Sequence, residues 1–154
     1  MVNITCAARK AILAYSALIA LGGDYTYPLS NLSLKVSSFF LPNYTSFTLG
    51  KPSISSNQSV VAENFALLYT DWRDNGPGTH VTVDDYRVEA VSNESAVCWL
   101  TYRISPDDEN MHGWEWTNVY GFRIREGMAN GLAGGWEFAV GDEEHQQYEA
   151  RFGQ

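Results

Sequence analysis

The stretch from Gly113 to Ile124, GWEWTNVYGFRI, limits the folds open to this chain more than any other. Its large residues fall at every second position, and in a strand successive side chains point to opposite faces. Trp114, Trp116, Asn118, Tyr120 and Phe122 therefore share one face, with Glu115, Thr117, Val119, Gly121 and Arg123 on the other. Four aromatics and one amide on a single face predict a strand that walls a pocket, not one that only fills a core.

The rest of the chain supplies elements to enclose that face. Strong helix formers run from Ala7 to Leu21, with Ala11, Tyr15, Leu18 and Ile19 or Gly22 at helical spacing, and Gly22-Gly23 ends them. A second helix is predicted from about Leu32 to Phe40, closed by Pro42, then a strand from Asn43 to Gly50 and a polar loop from Pro52 to Ser59. A third helix of about a dozen residues starts at Asn57 or Ser59, with Val60, Val61, Phe65, Leu68 and Trp72 as its apolar stripe. Asp74-Asn-Gly-Pro-Gly78 breaks it. Strands follow at His80–Val91, Ser95–Ile104, Gly113–Arg125 and Trp136–Val140, and the polar tail Asp142–Phe152 has room for a short helix.

Helices first and antiparallel strands after give an α+β fold. A sheet of this kind needs one face covered, so the N-terminal helices are expected in the concave face of a strongly curved, mainly antiparallel sheet, around an internal pocket. At 154 residues, with no repeat or linker, the chain is read as one domain, 1–154.

A net charge of −8 with no basic patch argues against a nucleic-acid partner, because phosphate recognition rests on clustered Lys and Arg. Cys6 and Cys98 read as two buried thiols in preference to a disulfide, and without Cys-x-x-Cys no metal site is expected. Arg9-Lys10 followed by the apolar run Ala11–Leu21 has the look of a signal peptide, and five sequons, at Asn3, Asn31, Asn43, Asn57 and Asn93, lean towards secretion. The run is short for a membrane span, and a cytoplasmic protein is the preferred reading, with secretion the alternative.

The order helix, helix, strand, helix, four strands resembles the superfamily of nuclear transport factor 2 and the SnoaL-like polyketide cyclases, whose fold is a cone-shaped α+β barrel. The residues carrying the resemblance are Pro42–Gly50 after the helical pair, Thr117–Arg123 as a central strand and Gly135–Asp142 as a closing strand. It implies a conical pocket, usually without cofactor, where a few polar side chains do acid–base work on a hydrophobic metabolite of polyketide or terpenoid type. It also implies a homodimer through the outer sheet face, which here mixes Val97, Trp99, Arg103, Glu115, Val119 and Arg123. Isomerases, cyclases and dehydratases occur on the fold, as do non-catalytic binding and assembly modules. Scytalone dehydratase works through paired histidines and tyrosines, but His80, His112 and His145 do not fall at matching positions.

A general acid or base near neutral pH is typically a carboxylate buried beside aromatics. Glu137, between Trp136 and Phe138, fits that description and is the expected proton acceptor; the alternative turns it outward to solvent or to Arg123 or Arg103. Asn118 and Tyr120 are the expected polarising groups, and Trp116, Phe122, Tyr102, Tyr15 and Leu100 the expected substrate contacts. The alternative for Asn118 and Tyr120 is plain core packing. Asp24 reads as a turn residue, and the consecutive carboxylates around His145 as a solvated face.

Overall fold

The computed structural model describes residues 2–153. The helices are α1 (Ile4–Ala20, extended by a 3-10 turn through Gly23), α2 (Leu29–Ser37), α3 (Gln58–Asn75) and α4 (Asp142–Phe152). The strands are β1 (Phe40–Thr48), β2 (Lys51–Ser55), β3 (Val81–Ala90), β4 (Ser95–Ile104), β5 (Trp114–Ile124) and β6 (Gly134–Val140). They form one six-stranded sheet in the order β2-β1-β6-β5-β4-β3, antiparallel except for the parallel β1–β6 pair. β2 and β3 end the sheet without pairing with each other, so it is curled but not closed.

The alternation of β5 is realised as read: Trp114, Trp116, Asn118, Tyr120 and Phe122 are all buried, on the concave side. β4 contributes Ala96, Cys98, Leu100, Tyr102 and Ile104 to the same side through a regular antiparallel register. α1 fills the hollow with Ala8, Ala11, Ile12, Tyr15 and Ile19, one stripe of a helix whose small residues let it lie close to the strands. Asn3 caps α1 by accepting from the Cys6 N–H at 3.0 Å, and Asn57 caps α3 by accepting from the Val60 N–H at 3.1 Å. Two of the five sequon asparagines thus have structural work.

Several expectations are corrected. α2 lies about one turn earlier than read, and β1 starts before Pro42. Proline is tolerated there because β1 is irregular: its register with β6 shifts between Phe40 and Thr45, and Asn43 has φ 60°. The Pro52–Ser59 loop contains β2, hairpin-paired to β1 across Leu49 (φ 49°) and Gly50 (φ 82°), successive positive-φ residues of the kind that tight hairpins use. α3 runs for 18 residues instead of about a dozen. Cys6 is exposed, and only Cys98 is buried; both are free.

A bulge in β6 decides which way Phe138 faces, while Glu137 keeps the outward side that alternation from the buried Trp136 gives it. Gly121 pairs with Phe138 and Phe122 with Trp136, which leaves Glu137 as the extra residue. Trp136 is fully buried inside, whereas Phe138 lies over Gly121 on the outer face, where a Cβ would overlap its ring. Ala139 returns to the concave side.

Candidate functional site

A cavity of about 420 Å³ opens between the concave side of β1, β5 and β6, helix α3 and helix α4. Tyr15, Phe40, Tyr44, Trp72, Tyr120 and Tyr148 give it aromatic walls. A smaller space of about 110 Å³ lies behind it, lined by Tyr69, Tyr102 and Trp116 among others. Tyr15, Trp72, Tyr120, Leu68 and Glu144 border both.

Glu144 is the chemical centre of this arrangement. It lies in the first turn of α4, which starts with three acidic residues and ends near Arg151, the charge order that suits a helix dipole. Glu144, Tyr148 and Phe152 recur every four residues and share the face turned to the domain. Tyr148 stacks on Trp72 at 5.5 Å, and Phe152 lies against Trp114 at 6.3 Å. At the other end of α4's first turn, Asp142 accepts from the Leu49 N–H at 2.6 Å and ties the helix to the β1–β2 hairpin. The helix is thereby held across the cavity with Glu144 turned inward.

Asn118 Nδ2 donates to Glu144 Oε1 at 2.9 Å. Glu144 as a residue is half-buried, but its carboxyl group lies among Tyr44, Tyr69, Tyr102 and Tyr120. Loss of water pushes its pKa above the ordinary carboxylate range, against smaller opposing effects from Asn118, from the nearby Trp116 indole and from His145. Trp116 Nε1 approaches without meeting hydrogen-bond geometry and, like Asn118 Oδ1, is buried without a partner.

Beside Glu144 lies a group of phenols. Tyr120 and Tyr102 are hydrogen-bonded through their hydroxyls. Burial pushes Tyr15, Tyr44, Tyr69, Tyr102 and Tyr120 all upward, so each is a neutral O–H donor at physiological pH. Either hydroxyl can donate in the bond they share.

Of the expected site residues, Asn118, Tyr120 and Tyr15 line the main cavity, and Trp116 and Tyr102 the smaller one. Phe122 and Leu100 are fully buried and border neither; they are core. Glu137 is corrected outright in position. It lies on the outer face, on the side opposite to the buried Trp136, where Arg123 donates to it through Nε at 2.6 Å and Nη2 at 3.2 Å, the alternative arrangement read from the sequence. Asp24 holds a turn by accepting from the Thr26 N–H and hydroxyl. Glu144, Tyr44 and Tyr69 were not read as site residues. The four-residue spacing of Glu144, Tyr148 and Phe152 was the available signal for the first. Among the described residues, no three His, Cys, Asp or Glu side chains converge in a metal-binding group.

No protein-family model matches the sequence, and no curated protein matches it. Solved structures do match in shape. Aln2 from a Streptomyces species aligns over 96% of this chain and 95% of its own, with a TM-score of 0.61 and 8% identity. A nuclear transport factor 2-like protein from Anabaena variabilis aligns over 90% and 87%, at TM-score 0.54 and 12% identity. A cystatin-like-fold protein from Caulobacter vibrioides aligns over 88% and 86%, at 0.58 and 13%. The chain therefore has the nuclear transport factor 2-like, or cystatin-like, α+β fold, and at these identities the likeness is one of fold.

Proposed function

We propose that the cavity is the active site of a cofactor-independent isomerase, cyclase or dehydratase acting by acid–base chemistry on a hydrophobic, polyketide- or terpenoid-like metabolite. The observation that carries this reading is a protonatable carboxyl, Glu144, held by Asn118 inside an aromatic cavity and next to a neutral phenol, Tyr120. A carboxylate with a raised pKa is a stronger base at neutral pH and returns the proton as a better acid than an exposed one. In the proposed cycle, the substrate carbonyl accepts a hydrogen bond from the Tyr120 O–H, which stabilises charge growing on that oxygen. Glu144 removes the adjacent carbon-bound proton and delivers it to a new position, or to a leaving hydroxyl. Asn118 keeps the carboxyl in place, and Tyr15 and Trp72 pack the ligand's apolar body.

The test uses proton exchange, which needs no product. Aromatic and polycyclic ketones incubated with protein in D₂O are expected to gain deuterium beside the carbonyl, and Glu144→Gln is expected to slow that gain by about a hundredfold or more. Equal exchange by both proteins would leave a non-catalytic small-molecule-binding or assembly module as the better reading.

We also propose a homodimer through the outer sheet face, supported by the half-buried Trp99, Val119 and Phe138 there. Sedimentation velocity is expected to give twice the 17.2 kDa chain mass, and a monomer would count against it. For location we propose the cytoplasm. The Ile4–Gly23 helical stretch has the length and composition of a membrane span, contrary to expectation from the shorter run, yet its Ala11, Ile12, Tyr15 and Ile19 are core. Intact mass from the native host is expected to retain the first helix without glycans; its removal would point to secretion.

A further inference from the structure

The charges around the cavity all have one sign. Asp71 on α3 and Glu149 on α4 are exposed lining residues and so mark the mouth, while Glu144 lies deeper. Among the described residues, no Lys or Arg lines the cavity, and the basic side chain on its wall is His145. Asp71 accepts from Asn75 at 3.0 Å, and none of the three carboxylates is in an ion pair among the described residues. Their field reaches the wall between them: after burial, Asp71 and Glu149 are what push the Tyr148 phenol upward.

A second observation is independent of the carboxylates. Asn118 borders the cavity and is 5% exposed, its amide nitrogen is committed to Glu144, and its buried Oδ1, near Gly141, has no partner. A buried acceptor without a donor is costly, and a ligand N–H or O–H supplies what it lacks. Around it stand the faces of Tyr44, Trp72, Tyr120 and Tyr148, whose quadrupoles attract cations. Carboxylates at two depths and aromatic faces favour a cation, and the unpartnered acceptor adds a preference for one that carries an N–H.

We propose that the cavity recognises a ligand carrying an organic cation, a protonated amine or quaternary ammonium attached to an apolar body, with Asp71 and Glu149 drawing it in, the aromatic walls receiving it and, for a protonated amine, Asn118 Oδ1 accepting from its N–H. The proposal rests on the cavity being the ligand site but on no chemistry within it. The amine stays unreacted in this role, so acid–base work by Glu144 concerns another part of the same molecule.

Tryptophan fluorescence, reporting Trp72 and Trp116, measures binding of benzyltrimethylammonium, phenethylammonium, 2-phenylethanol and phenylacetate at low ionic strength. Both cations are expected to bind about tenfold tighter than the alcohol, and phenylacetate more weakly than either. The double variant Asp71→Asn, Glu149→Gln changes exposed residues and is checked by circular dichroism. It is expected to reduce cation affinity several-fold, an effect that added salt mimics, while leaving 2-phenylethanol unchanged. Equal affinities for cation and alcohol, tighter binding of phenylacetate, no saturation by either cation up to about 20 mM, or an equal loss for all probes in the double variant would each overturn it. Cation preference without ketone exchange leaves recognition standing and removes the acid–base reading; exchange lost in Glu144→Gln without cation preference does the reverse.

Discussion

Two glutamates show how position decides chemistry at the scale of single residues. Glu137 sits between two aromatics in sequence yet meets Arg123 outside, and exposed pairs of this kind contribute little. Glu137→Gln is expected to lower stability by roughly 1 kcal/mol or less and to leave ketone exchange unaltered; a loss of exchange would return Glu137 to the site. Glu144 sits in a polar run yet turns inward. Because its folded pKa is raised, the folded state holds a proton that the unfolded state has released once pH exceeds about 4.3. Its contribution is therefore fully present below that value and declines as pH rises through the folded pKa. Glu144→Gln keeps the acceptor for Asn118 and removes the decline, so the variant should melt higher than the native protein at neutral pH, with the difference shrinking on acidification. Thermal melts from pH 4 to 8 check this, and a constant difference across the range would mean that Glu144 does not titrate with a raised pKa.

At the scale of elements, what could be read from the sequence depended on how far each signal extends along the chain. The period-two pattern of β5 spans eleven residues, β4 was bounded correctly at both ends, and both proved right. β2 has five residues, with Pro52 near its start, and is an edge strand, so nothing local marked it as paired. The β6 bulge was illegible for a different reason. Alternation alone places Glu137 opposite to Trp136 and Phe138, whereas the extra residue puts Glu137 and Phe138 on one side. Its trace in the sequence is Gly121, the partner that leaves room for the Phe138 ring. Gly121→Ala should lower stability by about 1–3 kcal/mol through overpacking, measured by urea denaturation. An unchanged midpoint would mean that the bulge does not fix Phe138 there. α4 was read at its observed bounds as a short helix of the polar tail, but its polar composition hid the inner Glu144, Tyr148 and Phe152 face.

On the scale of the molecule, the fold brings residues from opposite ends of the chain to one point. Tyr15 comes from α1, Trp72 from α3, Asn118 and Tyr120 from β5, and Glu144 from α4. α1 fills the hollow of the sheet, α4 lies across the cavity, and the curled sheet supplies the wall. The pocket wall read from β5 is thus real, but the carboxyl it lacks arrives from the last helix. The proposed acid–base chemistry depends on Glu144 being protonatable inside that enclosure. Carbon-13 NMR of glutamate-δ-labelled protein, with Glu144→Gln assigning the resonance, measures this directly. The Glu144 carboxyl is expected to titrate above the ordinary glutamate value of about 4.3, apart from the exposed glutamates. Titration at or below that value would contradict the assignment of Glu144 as the acid–base group of the cavity.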